Sequence, residues 1–386
     1  MPTPPLHMRR IGFDPAPELA EVRDGGARLV DLPQGDRVWL VTRIADVREV
    51  LGDPRRFGNS APHLVPGAPA LSEEELALVR PGNLLGFDPP EHTRLRRLVA
   101  GEFTGRRMRL LQPRIHRIVA DRLDELERGG PPADVVAGFA LPIPSLVICE
   151  LLGVPYADRD DFQRRAATFF DVGLSGEQRV AIALESRAYL TELVARARVE
   201  PGDDLLGVLV ASDLRDDELV GLGDLLLLAG HETTANMLGL GVLALLEDPA
   251  RRERMCEEPD AAVEELLRWL TVVHTGVPRV CLTDVELGGR VMRAGDLVVC
   301  SLPAANRDPD LVADPDELDL SREPVGHVAF GHGVHHCLGA PLARMEMRLA
   351  FPALLARFPG LHVLPQELHF RTQQVVYGLE ALRVAW

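Results

Sequence analysis

Lysine is missing from the 386 residues, so each of the 42 basic side chains is arginine. That usage points to GC-rich coding and carries no mechanism. A surplus of positive charge is missing as well. Asp and Glu number 58, the formal charge is −16, and an acidic chain of this kind is a poor nucleic-acid binder. There is no C-x-x-C pair. The cysteines (Cys149, Cys256, Cys281, Cys300 and Cys337) are odd in number and scattered, which argues against a disulfide framework and a zinc ribbon. No apolar run reaches the roughly eighteen residues that a membrane span needs. Prolines fill the N-terminal positions where a secretory signal would carry its apolar core, so a soluble, cytoplasmic chain is expected. No Ser/Gly linker, charge block or repeat period divides it. Residues 1–386 therefore read as one domain, against a length prior of two or three. Aromatic residues make up only 5%, which favours an aliphatic, roomy pocket over a stacked one. Hydrophobic content of 46% is ample for a large core.

What is present concentrates at residues 330–339, FGHGVHHCLG. Cys337 is crowded by His332, His335 and His336 and by Gly331, Gly333 and Gly339. Glycine permits positive φ and a close approach of backbone to a bulky group. A helix is expected to follow (LGAPLARMEMRLAFPALLARF), and amides at its start would favour the anionic form of the cysteine. A lone thiolate on a turn, held by amides, is the strong electron-donating axial ligand that a haem iron needs.

Phe330-Gly331-x-Gly333-x-His335-x-Cys337-x-Gly339, followed by Leu342-Ala343-Arg344, resembles the haem-binding loop of the cytochromes P450. The resemblance covers nearly the whole chain. It implies a mainly α fold with small β-sheets, and haem b between a long central helix and the cysteine-bearing loop. Cys337 is then the metal ligand, with Phe330, Gly331, His335 and Gly339 around the cofactor.

Three further motifs follow in the family's order. His92 and Arg96 are four residues apart and share a helix face. They match the pair that grips a haem propionate, while Arg279 and His335 match residues that meet the propionates. Ala229-Gly230-His231-Glu232-Thr233-Thr234 places a carboxylate and two hydroxyls in an apolar helix, which is costly unless something uses them. It matches the family's A-G-x-E-T-T. There Ala229 and Gly230 make an oxygen-binding groove, and Glu232 and Thr233 are the catalytic acid–alcohol pair, with Glu232 relaying protons. Thr233 or Thr234 could bond the carbonyl four residues back. Glu265 and Arg268 match the E-x-x-R pair that is buried and locks the loop ahead of the cysteine, which leaves Glu264 as the solvated neighbour. His231 reads as packing, and His332 and His336 as neighbours without a role.

Strands are expected at 37–42 and within 280–300, with turns at Gly288-Gly289 and 294–296. A short helix at Ser72 has the Ser-x-x-Glu capping pattern. Asp88-Pro89-Pro90 should cap the helix that carries His92. Helices are expected at 108–128, 144–153, 157–173, 177–199 and from Asp216 to about Glu247, and an irregular meander at 308–328.

The resemblance implies a haem-thiolate monooxygenase that uses O2 and acts on a hydrophobic small molecule such as a macrolide, another secondary metabolite, a steroid or a xenobiotic. Segments 60–87, 168–185, 271–277, 301–305 and 373–378 would border that substrate. Electrons would come from a ferredoxin and its NAD(P)H-dependent reductase, docking by charge near Arg94, Arg97, Arg106, Arg107 and Arg109. A monomer without a membrane anchor is expected. Other readings are a peroxygenase, which the Glu232–Thr233 pair disfavours, and a non-catalytic haem sensor. A zinc hydrolase is disfavoured because Ala235 stands where H-E-x-x-H needs its second histidine.

Overall fold

The computed structural model describes residues 4–32, 35, 37–59, 72–155, 158 and 175–386. The expected helix at 157–173 and the segment 60–71 thus lie almost entirely outside the described residues.

The helices that shape the site are α1 (Ile44–Gly52), α2 (Glu73–Val79), α3 (Glu91–Ala100), α4 (Gly105–Gly129), α5 (Pro142–Leu152), α6 (Gly176–Val199), α7 (Asp216–Leu246), α8 (Pro259–Leu270) and α9 (Ala340–Arg357). Local chemistry sets several of their ends. Ser72 and Glu75 form the expected reciprocal capping box on α2, and Ser175 with Gln178 does the same on α6. The α3 start differs from expectation. Asp88 does not cap it; its carboxylate accepts from the Asn59 amide at 2.8 and 3.0 Å. Pro90 stands at the helix entry without a side-chain cap, where no donor is required.

α7 is the axis of the molecule. Its apolar residues bury against α5, α6 and α9 in the main core. From Glu218 to Leu245, every position is buried except Leu225, Ala229, Gly230 and Thr233. Leu225, Ala229 and Thr233 are four apart, so they form one uncovered stripe along an otherwise covered helix.

A mixed sheet closes the other side. Its strands β1 (Arg28–Asp31), β2 (Arg37–Val41), β3 (Phe57–Gly58), β4 (Val277–Cys281) and β7 (Leu297–Cys300) pair in the order β1-β2-β7-β4-β3. β7 runs parallel to β2 with Val298 opposite Trp39, and antiparallel to β4 with Val298 opposite Arg279. The hairpin β5 (Val285–Leu287) and β6 (Arg290–Met292) lies between β4 and β7 in the chain. Residues 308–328 form turns without helix or strand, as expected. They are held by side chains instead.

Candidate haem-thiolate site

The loop around Cys337 is set by close approaches of backbone. Gly331 and Gly333 adopt φ of +72° and +71°. A Cβ on Gly333 would lie 2.3 Å from the Leu51 carbonyl oxygen at the end of α1, so only glycine fits. A short 3-10 turn at Gly333–His335 follows, and the Cys337 amide donates to the Phe330 carbonyl at 2.9 Å. Cys337 itself is exposed. Although the residue reaches solvent, the protein packed around its sulfur still desolvates the thiol and pushes it above the ordinary range, partly offset by the Gly339 and Ala340 amides and by Arg96 and Arg344. The amides at the start of α9 thus act on the sulfur as the sequence implied.

Two adjacent carboxylates of α8 hold this loop from both ends. Glu265 and Arg268 pair in bidentate fashion, at 2.7 Å on each side, and are 4% and 0% exposed. Arg268 donates further to the carbonyls of Asn306, Pro315 and Glu317, and Glu265 also accepts from the Asp319 amide and Arg322. The pair thus holds the meander at Pro315, Glu317 and Asp319, and Asn306 just ahead of it, through hydrogen bonds. Glu264 departs from expectation. It is not solvated but pairs with Arg344 at 2.6 and 2.8 Å and with His327 at 3.3 Å. Those partners lie on either side of Cys337 in the chain, so Glu264 clamps the loop across its base. Burial works against its charge, but His327 and Arg344 outweigh it and hold the carboxyl down at about 2. The Arg344 guanidinium also lies over the Phe330 ring, 4.5 Å from its centroid.

His92, Arg96, Arg279 and His335 lie within one another's electrostatic reach, and Arg96 also acts on the Cys337 sulfur. His92 is 1% exposed, lies against His335 with ring centroids 4.1 Å apart and planes tilted by 51°, and has no hydrogen-bond partner at either nitrogen among the described residues. Burial, then the charge of Arg96, lowers its proton affinity. Burial, then His92, Arg279 and Arg96, holds His335 at about 3. Arg96 donates to the His336 carbonyl at 2.6 Å, and Arg279 to Asn59 Oδ1 and the Pro278 carbonyl at 3.0 and 2.7 Å. Neither arginine meets a carboxylate among the described ion pairs. Asp88 acts on His92 and Arg279 as a nearby negative charge, but the two arginines and two imidazoles outnumber it, so the cluster suits an anion.

On α7 the expected back-bond is present: Thr233 Oγ1 donates to the Ala229 carbonyl at 2.8 Å. Ala229 is exposed and Thr233 half-buried. Gly230 also serves helix packing. A Cβ there would come within 3.0 Å of Ile148 Cδ1, so glycine at 230 lets α5 approach. Ala229 supplies the open space. Glu232 is 1% exposed and faces Arg371, at 2.7 Å, and Asn236. Arg371 and Asn236 carried no signal in the motif. His231 is buried, as the packing reading implied, whereas His332 and His336 are exposed.

The arginine cluster splits. Arg94 pairs with Glu91 and Glu218, and Arg107 with Glu102 at 2.6 Å. Arg97, Arg106 and Arg109 are exposed without a carboxylate among the described ion pairs.

Residues 203–370 match the family model described as Cytochrome P450. The chain is 48% identical to Cytochrome P450 FAS1 of Rhodococcoides fascians over 99% of this chain and 98% of that protein. The chain belongs to the cytochromes P450. It is also 42% identical to mycinamicin IV hydroxylase/epoxidase of Micromonospora griseorubida, covering 92% of this chain and 91% of that one. The solved structure of CYP105P1 in complex with filipin I superposes with a TM-score of 0.93 at 38% identity, covering 100% of this chain and 99% of that one. The expected P450 fold is therefore correct. As a cytochrome P450 the chain is a monooxygenase with a haem bound through a cysteine thiolate. The residues present fit that group: an accessible thiol beside two helix-start amides, a basic cluster with an unbonded buried imidazole, and an uncovered stripe on α7. No helix of the described residues is long and apolar enough to cross a membrane.

Proposed function

We propose that Cys337 ligates the haem iron, and that the enzyme places one oxygen atom from O2 into a hydrophobic small molecule of the macrolide, secondary-metabolite or steroid and xenobiotic class. The observation that carries this is the apolar stripe Leu225–Ala229–Thr233, uncovered on a helix that is otherwise buried. The likeness to mycinamicin IV hydroxylase/epoxidase and to a structure holding filipin I supports a hydrophobic secondary-metabolite substrate. When bound, the haem supplies oxygen activation and electron transfer.

The chain's own residues do the rest. The Gly339 and Ala340 amides and Arg96 offset part of the burial that disfavours the thiolate of Cys337. His92, Arg96, Arg279 and His335 would bind the propionates, each imidazole offering a donor to an anion. Gly331 and Gly339 would leave room around the sulfur, and Phe330 holds the Cys337 amide through its carbonyl. Ala229 and Gly230 keep the helix face thin, and Thr233 presents its hydroxyl on that face. Glu232 moves protons between solvent and the hydroxyl side of α7. Glu265 and Arg268 keep the meander, and hence the loop, in one geometry. Arg97, Arg106 and Arg109 would steer an acidic ferredoxin, which its NAD(P)H-dependent reductase recharges, and salt would weaken that docking.

The test is a spin-state titration of the holoenzyme with a macrolide and steroid panel, followed by turnover with NADPH, ferredoxin and reductase. A panel member that shifts the spectrum and gains one oxygen atom is expected. Spectral silence across the panel, with no oxygenated product, would contradict the substrate class.

A further inference from the structure

Glu232 and Thr233 are neighbours in the chain, but α-helical geometry turns them about 100° apart. Thr233 stands on the uncovered stripe of α7, whereas the Glu232 side chain is 2% exposed and faces away from it. Its partners come from the C-terminal segment. Arg371 Nη1 donates to Glu232 Oε2 at 2.7 Å. Asn236, one turn along α7, donates to the same oxygen at 3.1 Å and to the Glu232 carbonyl at 2.8 Å. Asn236 in turn packs on Gly378, where a Cβ would lie 1.6 Å from Asn236 Oδ1. The Gly378 carbonyl accepts from the Arg371 amide at 2.8 Å. One glycine thus fixes the Arg371 backbone and seats Asn236.

The network is unequal in two respects. Arg371 keeps a side-chain exposure of 20%, so it joins the buried carboxylate to solvent. Glu232 Oε1 is buried with no hydrogen-bond partner among the described residues, and His231 Nδ1 lies 4.0 Å away, beyond bonding distance. A purely structural pair would fill both oxygens, because an unbonded buried acceptor is costly.

We propose that Arg371 is the positioning residue of the acid–alcohol pair. It holds the Glu232 carboxylate by Oε2, turned toward the solvent-linked C-terminal segment, and leaves Oε1 as the atom that accepts and releases the relayed proton. This rests on Glu232 as the relay residue. A buried carboxylate stripped of its counter-ion takes up a proton rather than keep its charge.

The experiment compares the wild-type holoenzyme with Arg371→Met, Arg371→Lys, Glu232→Gln and the Arg371→Met/Glu232→Gln double variant. Infrared spectra of the resting ferric proteins read the protonated-carboxyl stretch at neutral pH. A new band is expected in Arg371→Met, absent from the double variant and from Arg371→Lys. NADPH oxidation with ferredoxin and reductase should slow about tenfold in Arg371→Met, with a larger solvent deuterium isotope effect, and recover in Arg371→Lys. Arg371→Met without the band and with a wild-type isotope effect would overturn the proposal. Should Arg371→Met fail to fold, Arg371→Gln carries the same readings. A Glu232→Gln enzyme with wild-type rate and isotope effect would instead overturn the relay reading, and the infrared band would still report whether Arg371 governs Glu232.

Discussion

Glu265 and Glu232 are both buried and both face an arginine, but they are bonded differently. Glu265 places both oxygens on Arg268 and accepts from the Asp319 amide and Arg322 besides. Glu232 bonds Arg371 and Asn236 through Oε2 and, among the described residues, keeps Oε1 unbonded. The first network, on the cysteine side, is saturated, and its arginine is wholly buried. The second, on the side of the α7 stripe, has a spare acceptor and an arginine open to solvent. Saturation gives one geometry and no chemistry of its own. A spare oxygen beside a solvent-linked cation gives a place where a proton can come and go. Buried charge thus serves rigidity at one end of the site and reactivity at the other.

The largest effect should come from breaking the saturated side. Arg268→Ala leaves Glu265 and three carbonyls without their donor. A loss of about 3–5 kcal/mol is expected in denaturant unfolding, with poor haem retention. A change under 1 kcal/mol would show that the meander is held elsewhere.

The clamp at Glu264 should read out as pH dependence. Its carboxyl is held down at about 2 in the folded chain, from an ordinary 4.5. Its contribution is therefore present above 4.5 and is lost as pH falls toward 2, on the order of 3 kcal/mol in all. Glu264→Gln should flatten that part of the stability curve between pH 5 and 3, measured by unfolding across about that range. An unchanged slope would mean that the clamp contributes little.

The smallest energetic change should fall on the reactive side. Thr233→Ala removes a hydroxyl that already has the Ala229 carbonyl as acceptor, so unfolding should shift by about 1 kcal/mol or less. Its signature is chemical: NADPH consumption should run to hydrogen peroxide instead of product. Retained coupling would remove Thr233 from the account.

Much of this was legible in the sequence where the signal is local. The capping box at Ser72 and Glu75 and the i, i+3 spacing of Glu265 and Arg268 each depend on neighbours within one turn. The partners across the fold were not. Glu264 finds Arg344 and His327 at separations of 80 and 63 residues, and Arg371 lies 139 residues from Glu232. Asp88 left the expected helix cap because Asn59, brought in by β3, offered its amide. Gly230 answers to Ile148 on another helix. Periodicity and caps are set by the local chain, whereas these contacts exist only once the helices have packed.

The most direct test of the central claim is the absorption spectrum of the reduced, carbon monoxide-treated protein, wild type beside Cys337→Ser. The account predicts a strongly red-shifted Soret band in the wild type, lost in a folded Cys337→Ser chain. A band that survives the substitution unchanged, or a folded wild-type protein that takes up no haem, would contradict it.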